Sequence, residues 1–290
     1  YSATDVSEWW GIFSGKYRVL TNVPISISTA LAASCVPALA AAFAQKDDAQ
    51  VRSKIGMSMR FIMVVAMPCT AGIMVLADPI IQLLFPGSSP LAGHLLQAGG
   101  ISVIFYSIST LSNAVLQGID QMHVPVRNAS IALVLHAGVI AVAMFGFDLK
   151  IYGICIGTIA FSLIMCILNG LSVRKHSGFK PNVAKTFVKP AIASVIMGVV
   201  VYAAYFVVHK ALHSNAIGVV VAVLVGMILL TIGHSRTCIH HIAPITFRSH
   251  IHCTEVINHH YHHNKSDSDS CSYNTDCSIK RILPYQIKCL

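Results

Sequence analysis

Charge is what this 290-residue sequence has least of: Asp, Glu, Lys and Arg make up 11% of it, against 55% hydrophobic residues. Soluble domains carry roughly 25% charged residues, so this chain cannot cover a globular surface with water-compatible side chains, and an ordinary soluble enzyme is excluded. No Asp or Glu falls in the middle of any long apolar run. There is no Walker loop, no GxGxxG between a strand and a helix, and no nucleophile elbow, and ATP-driven transport by this chain alone is disfavoured. Cys35, Cys69, Cys155 and Cys166 lie in apolar stretches without a CxxC pair and behave as small hydrophobes. The chain begins at Tyr1 rather than Met and shows no signal peptide, which reads as a fragment.

Long uncharged windows are abundant. A bilayer core needs about 20 apolar residues per helix, and seven windows lack all four charged residue types: Val19–Gln45, Phe61–Ala77, Pro79–Ile119, Asn128–Phe147, Ile151–Val173, Pro190–Val208 and Ala216–Gly233. The third is long enough for an external loop around PGSSP (Pro86–Pro90) and a helix from about Leu95. None alternates with period two, so helices are the only spanning option. The expected fold is all-α: a polytopic membrane helix bundle of about seven transmembrane helices over 19–233, preceded by an external segment, 1–18.

The net charge of +9 follows topology, not nucleic acid. Lys46, Arg52, Lys54, Arg60, Arg127, Arg174, Lys175, Lys180, Lys185 and Lys189 occupy alternate connections, and only Lys150 and Lys210 the others. Ten against two puts the first set in the cytoplasm and Tyr1 outside. A first span entering from outside implies earlier spans, hence a missing N-terminal part.

From His234 to Leu290 the composition changes: nine of fifteen His, five of nine Cys, no Gly, no Met and one Ala, Ala243. Segment 234–290 reads either as translated out of frame after about Leu230 or as a genuine disordered tail. Its His259, His260, His262, His263, Cys271 and Cys277 match no standard zinc spacing, and no metal site is assigned.

Three stretches carry a resemblance: SGKYRVLTNVPISISTALAASCVPALAAAFA (Ser14–Ala44), ADPIIQLLFPG (Ala77–Gly87) and LSNAVLQGIDQMHVPVRN (Leu111–Asn128). The spacing of Arg18, Pro24 and Pro37, the DP after the second window and LQG-x6-P occur in order. Over roughly 1–230 the chain resembles the polysaccharide-exporter branch of the multidrug/oligosaccharidyl-lipid/polysaccharide flippase superfamily. The likeness is to stage V sporulation protein B-like proteins of Gram-positive bacteria, relatives of the lipid II flippase. The resemblance implies the C-terminal half of a fourteen-helix protein whose two bundles rock about a central cationic cavity, multi-pass in the bacterial cytoplasmic membrane. It implies as substrate a lipid-linked oligosaccharide or polyprenyl-pyrophosphate precursor, and as further partners membrane lipid and the absent N-terminal bundle. Neither enzymatic activity, a cofactor nor nucleic acid is implied, and any coupling ion is unidentified.

Each candidate residue has a bland reading beside its functional one. Arg18 aligns with the central Arg that precedes the paired prolines in lipid II flippases, where a guanidinium fork would grip pyrophosphate; otherwise it anchors a helix end at headgroups. Pro24 and Pro37 are expected as helix breaks facing a cavity or a neighbouring helix. Asn113 and Gln117, one turn apart, share a face that should point into the bundle, toward substrate or as helix glue. His136 is a candidate proton relay or a hydrogen-bonded structural His. Rivals to the flippase reading are a drug/cation antiporter, which needs an intramembrane acid, a membrane-embedded glycosyl- or acyltransferase, and a structural scaffold that tolerates loss of Arg18.

Overall fold

The computed structural model describes residues 3–241, with side chains over 4–231. The segment from 242 onward, which holds most of the His/Cys-rich stretch, lies outside the described residues. Packing divides the chain after Leu230 into a first unit, Tyr1–Leu230, and a second, Thr231–Leu290. Every regular element among the described residues is helical: α1 (Ala3–Ile12), α2 (Arg18–Ala44), α3 (Asp48–Val75), α4 (Ala77–Leu84), α5 (Pro90–Gly99), α6 (Ser102–Gly118), α7 (His123–Ala141), α8 (Lys150–Ser177), α9 (Lys189–Leu212) and α10 (Asn215–His241). Three π-helical turns, Phe13–Tyr17, Val142–Gly146 and Ala184–Val188, extend α2, α7 and α9.

Five described helices are long and apolar enough to cross a membrane, and α5 with α6, bent by 44°, makes a sixth when the pair is counted as one span. The apolar stretch Asn215–Thr231 is shorter than these. The chain is an all-α polytopic bundle. The first helical stretch, Thr4–Ala44, has 41 residues. At 1.5 Å per residue it is roughly 60 Å long, about twice the hydrocarbon thickness. Residues 3–18 are helical and run continuously into α2.

Local chemistry sets the ends. Asp47 caps α3, its carboxylate accepting from the Gln50 N–H at 2.8 Å. Ser89 caps α5 with Pro90 in its first turn. Asp78 sits in the first turn of the short helix α4, opposite the positive pole of the peptide dipoles. Gly178 closes α8 at φ 65°, its N–H donating to the Arg174 carbonyl at 3.0 Å.

Pro24 and Pro37 do not break α2; both lie inside an uninterrupted helix. Each removes one donor, so the carbonyls four residues back, on Leu20 and Ala33, lose their usual partners. The surrounding turns hold the helix across a single lost bond.

The largest buried cluster, which includes Leu39, Ile55, Met63, Leu111 and Leu116, joins α2, α3 and α6. A second, around Tyr17, Ile81, Leu95, Leu96 and Ile151, fills the opposite end. Val188, Ile192, Val195, Val199 and Val207 are exposed along the last helices, as is apolar surface on α7, which suits contact with lipid rather than water.

Candidate functional site

Tyr17 is the pivot of the site. It is 2% exposed, and its hydroxyl stands 3.2 Å from the Gly99 carbonyl oxygen and 3.1 Å from the Ser102 hydroxyl. Ser102 itself donates to the Gly99 carbonyl at 2.7 Å. These two hydroxyls occupy the break between α5 and α6, where carbonyls lack helical donors. Gly99 is glycine because a Cβ there would overlap the Tyr17 ring. Gly99→Ala is therefore expected to displace the ring and to lower stability by about 1–3 kcal/mol, read as a lower melting temperature of the detergent-solubilised chain.

The π turn Phe13–Tyr17 ends with the Arg18 N–H donating to the Phe13 carbonyl. Its extra residue rotates the following helix by about 100°. Tyr17 thus stays in the core while Arg18, the next residue, is exposed. The Arg18 side chain makes no hydrogen bond or ion pair among the described residues, unlike that of neighbouring Lys16, whose Nζ donates to Ser88 Oγ at 2.7 Å and lies 5.8 Å from the Phe85 ring centroid.

Below Arg18, α2 presents Asn22, Ser26 and Thr29, all exposed, at the i, i+4, i+8, i+11 spacing of one helix face. On α6 the matching stripe is Tyr106, Thr110 and Asn113, partly exposed, and Gln117, exposed. The two helices run in the same direction. Tyr17 meets Gly99 and Ser102 at one end, Ser28 Oγ donates to Ser107 Oγ at 2.9 Å between two fully buried side chains, and Leu39 packs on Gly118 at the other end. The stripes lie on opposite rotations from this shared seam, so both open to the same side. Arg18 is within electrostatic reach of the Tyr106 hydroxyl. The result is a polar, solvent-open strip in a chain whose other exposed faces are largely aliphatic.

Asn113 and Gln117 part company. Asn113 is the outer member of a buried amide cluster: Asn169 Nδ2 donates to Asn113 Oδ1 at 2.7 Å and reaches Ser109 Oγ at 3.4 Å. Asn128 Nδ2 donates to Asn169 Oδ1 at 2.9 Å and to Ser172 Oγ at 3.0 Å. This network ties α6, α7 and α8 together, while Gln117 stays on the open strip. His136 is placed on the far side of α8, its Nδ1 2.9 Å from the Gly157 carbonyl and its ring edge-on to Phe161 at 5.4 Å. A carbonyl only accepts, so Nδ1 carries the proton. His136→Phe is expected to lower stability by about 1 kcal/mol and to leave diphosphate binding unchanged; loss of binding in a folded variant would give His136 a role beyond structure.

Sequence reasoning missed Tyr17, Asn22, Tyr106, Asn128 and Asn169. Asn22 was detectable, four residues after Arg18 on the same face. The others became visible only through their partners.

The basic residues of the alternate connections gather at one end, where α2, α6 and α8 finish and α3, α7 and α9 begin. Arg18 sits at the other. The described helices thus form a multi-span bundle with a polar strip along α2 and α6 and the Arg18 guanidinium at its head. The lipid II flippase MurJ family matches residues 18–225, and the chain belongs to that family. It is 26% identical over 190 residues to the lipid II flippase MurJ of Bacillus subtilis (strain 168), an alignment covering 63% of this chain and 34% of the relative. The chain thus spans about a third of the length of the curated relative it matches. As a family member it is a multi-pass protein of the cytoplasmic membrane, and the family's activity is transport, not catalysis.

Proposed function

We propose that this chain forms one lobe of a flippase that moves a lipid-linked oligosaccharide or peptidoglycan precursor across the cytoplasmic membrane. The observation that carries the reading is the exposed, unpaired Arg18 at the head of the α2–α6 polar strip. In this proposal Arg18 binds the pyrophosphate by parallel charge-assisted hydrogen bonds, and Asn22, Ser26, Thr29 and Gln117 offer hydroxyls and amides to sugar. The polyprenyl tail stays in lipid. A second bundle covers the strip, and the two alternate about it. No covalent step is needed.

The test is binding followed by movement. The chain in nanodiscs is expected to bind polyprenyl pyrophosphate more tightly than the corresponding monophosphate or alcohol. Liposomes carrying the chain together with a complementary bundle should then move a fluorescent lipid-linked pyrophosphate between leaflets. Indifference to the diphosphate would sink the proposal. The drug/cation antiporter reading needs an intramembrane acid, and the uncharged windows of the sequence contain no Asp or Glu.

A further inference from the structure

At the opposite end of the bundle, α3 carries Arg52, Gly56 and Arg60 at four-residue spacing, on one face. The space that Gly56 leaves empty is taken by the ring of Phe179, just after the C-terminus of α8. A Cβ at Gly56 would stand 3.2 Å from Phe179 Cε2 and 4.0 Å from Arg60 Nη2, and a Cβ at Gly178 would stand 3.9 Å from Arg52 Nη1. Arg60 Nη2 therefore lies beside the Gly56 position where the ring is seated, and Arg52 Nη1 beside Gly178, the residue before the ring. Gly178 makes this possible by turning the chain at φ 65°, and Ser177 Oγ accepts from the Phe179 N–H at 3.2 Å.

The charges at this notch are uncommitted. Arg60 Nε donates to the Gly56 carbonyl at 3.0 Å, which fixes the stem and leaves the outer nitrogens of the fork free. Neither Arg52 nor Arg60 pairs with a carboxylate among the described residues. Lys180 follows the ring directly and is exposed. The depth is also specific: Arg60 immediately precedes the uncharged window that opens at Phe61, so it stands where hydrocarbon gives way to headgroups. The Phe179 ring packs against the main hydrophobic cluster and Gly56, which fixes the floor of the notch and leaves the cations at headgroup level.

We propose that Arg52 and Arg60, one helical turn either side of the Gly56 position that seats Phe179, form a notch for the phosphate of an anionic membrane phospholipid in the leaflet at this end of the bundle. An arginine fork binds phosphate bidentately, and a cation near an anionic bilayer surface is attracted whatever the lipid's chains. The proposal is independent of Arg18 and of what the polar strip binds.

The test is native mass spectrometry of the detergent-solubilised full chain with phosphatidylglycerol or phosphatidylcholine added. The expected result is preferential retention of phosphatidylglycerol, reduced at least fivefold in Arg52→Gln/Arg60→Gln and unchanged in Lys150→Gln/Lys210→Gln at the other end. Should the glutamine pair fail to fold, Arg52→Lys/Arg60→Lys keeps the charge, loses the fork and is expected to lower retention about twofold to threefold. Equal retention of the two lipids, full retention by the folded arginine variants, or equal loss in the lysine control would each overturn the notch. So would displacement of phosphatidylglycerol from this site by an equimolar polyprenyl pyrophosphate.

Discussion

Arg18→Ala is expected to weaken binding of polyprenyl pyrophosphate to the chain by a factor of about 10 to 100. A hydrogen bond to a charged group contributes about 1.5–3 kcal/mol, and each 1.4 kcal/mol is about tenfold in affinity. Because Arg18 is exposed and touches no acceptor in the fold, its removal should leave the melting temperature unchanged. Arg18→Lys retains a point charge and loses the fork, so it should recover only part of the affinity. Titration of labelled polyprenyl pyrophosphate into nanodiscs at low and high salt would measure this, the wild-type affinity falling with salt. An alanine variant that binds as tightly as the wild type would leave Arg18 as a headgroup anchor.

The second large effect is structural. Asn169→Leu is expected to destabilise the bundle by about 2–4 kcal/mol. It removes the amide that joins Asn128, Asn113 and Ser109, and interhelical hydrogen bonds in membranes contribute about 0.6 kcal/mol on average, up to about 1.7. Unpartnered polar groups left buried add to the loss, at about 1–3 kcal/mol each before relaxation. Asn113→Ala should cost less, about 1 kcal/mol, because the Asn169 amide retains Ser109 and Asn128. Thermal unfolding in detergent would show the ranking. The reverse order would mean that Asn113, not Asn169, is the hub. Diphosphate binding should survive Asn113→Ala if that residue serves as helix glue, and fall if it also reaches the substrate.

Much of the architecture was legible because hydrocarbon imposes a strong filter on sequence. An uncharged run of twenty residues has few alternatives to a helix, so the windows fall on helices, the third interrupted at 85–89, and the alternating basic connections fall at one end; of the seven expected spans, five helices, or six with the bent pair, are long and apolar enough to cross. Arg18 stood out for the same reason: a cation beside an apolar run is conspicuous. The prolines misled, since a ring inside a well-packed helix removes one hydrogen bond without ending the helix. The third window shows another limit. Its loop and helix were readable from PGSSP, but the bend at Gly99 and Gly100 depends on Tyr17, eighty-two residues earlier in the chain.

What the sequence determined by itself was therefore composition-driven: the number and extent of apolar segments, the end where cations collect, and the charged residue left over. Tertiary structure alone decided which polar groups are used up and which stay available. Asn113 and Gln117 are one turn apart and chemically alike, yet only Asn113 meets Asn169; His136 is a lone imidazole until Gly157 supplies a carbonyl. In a low-dielectric interior a polar side chain takes the nearest partner across the helix interface, and that partner is set by packing between segments tens of residues apart, which no local pattern encodes.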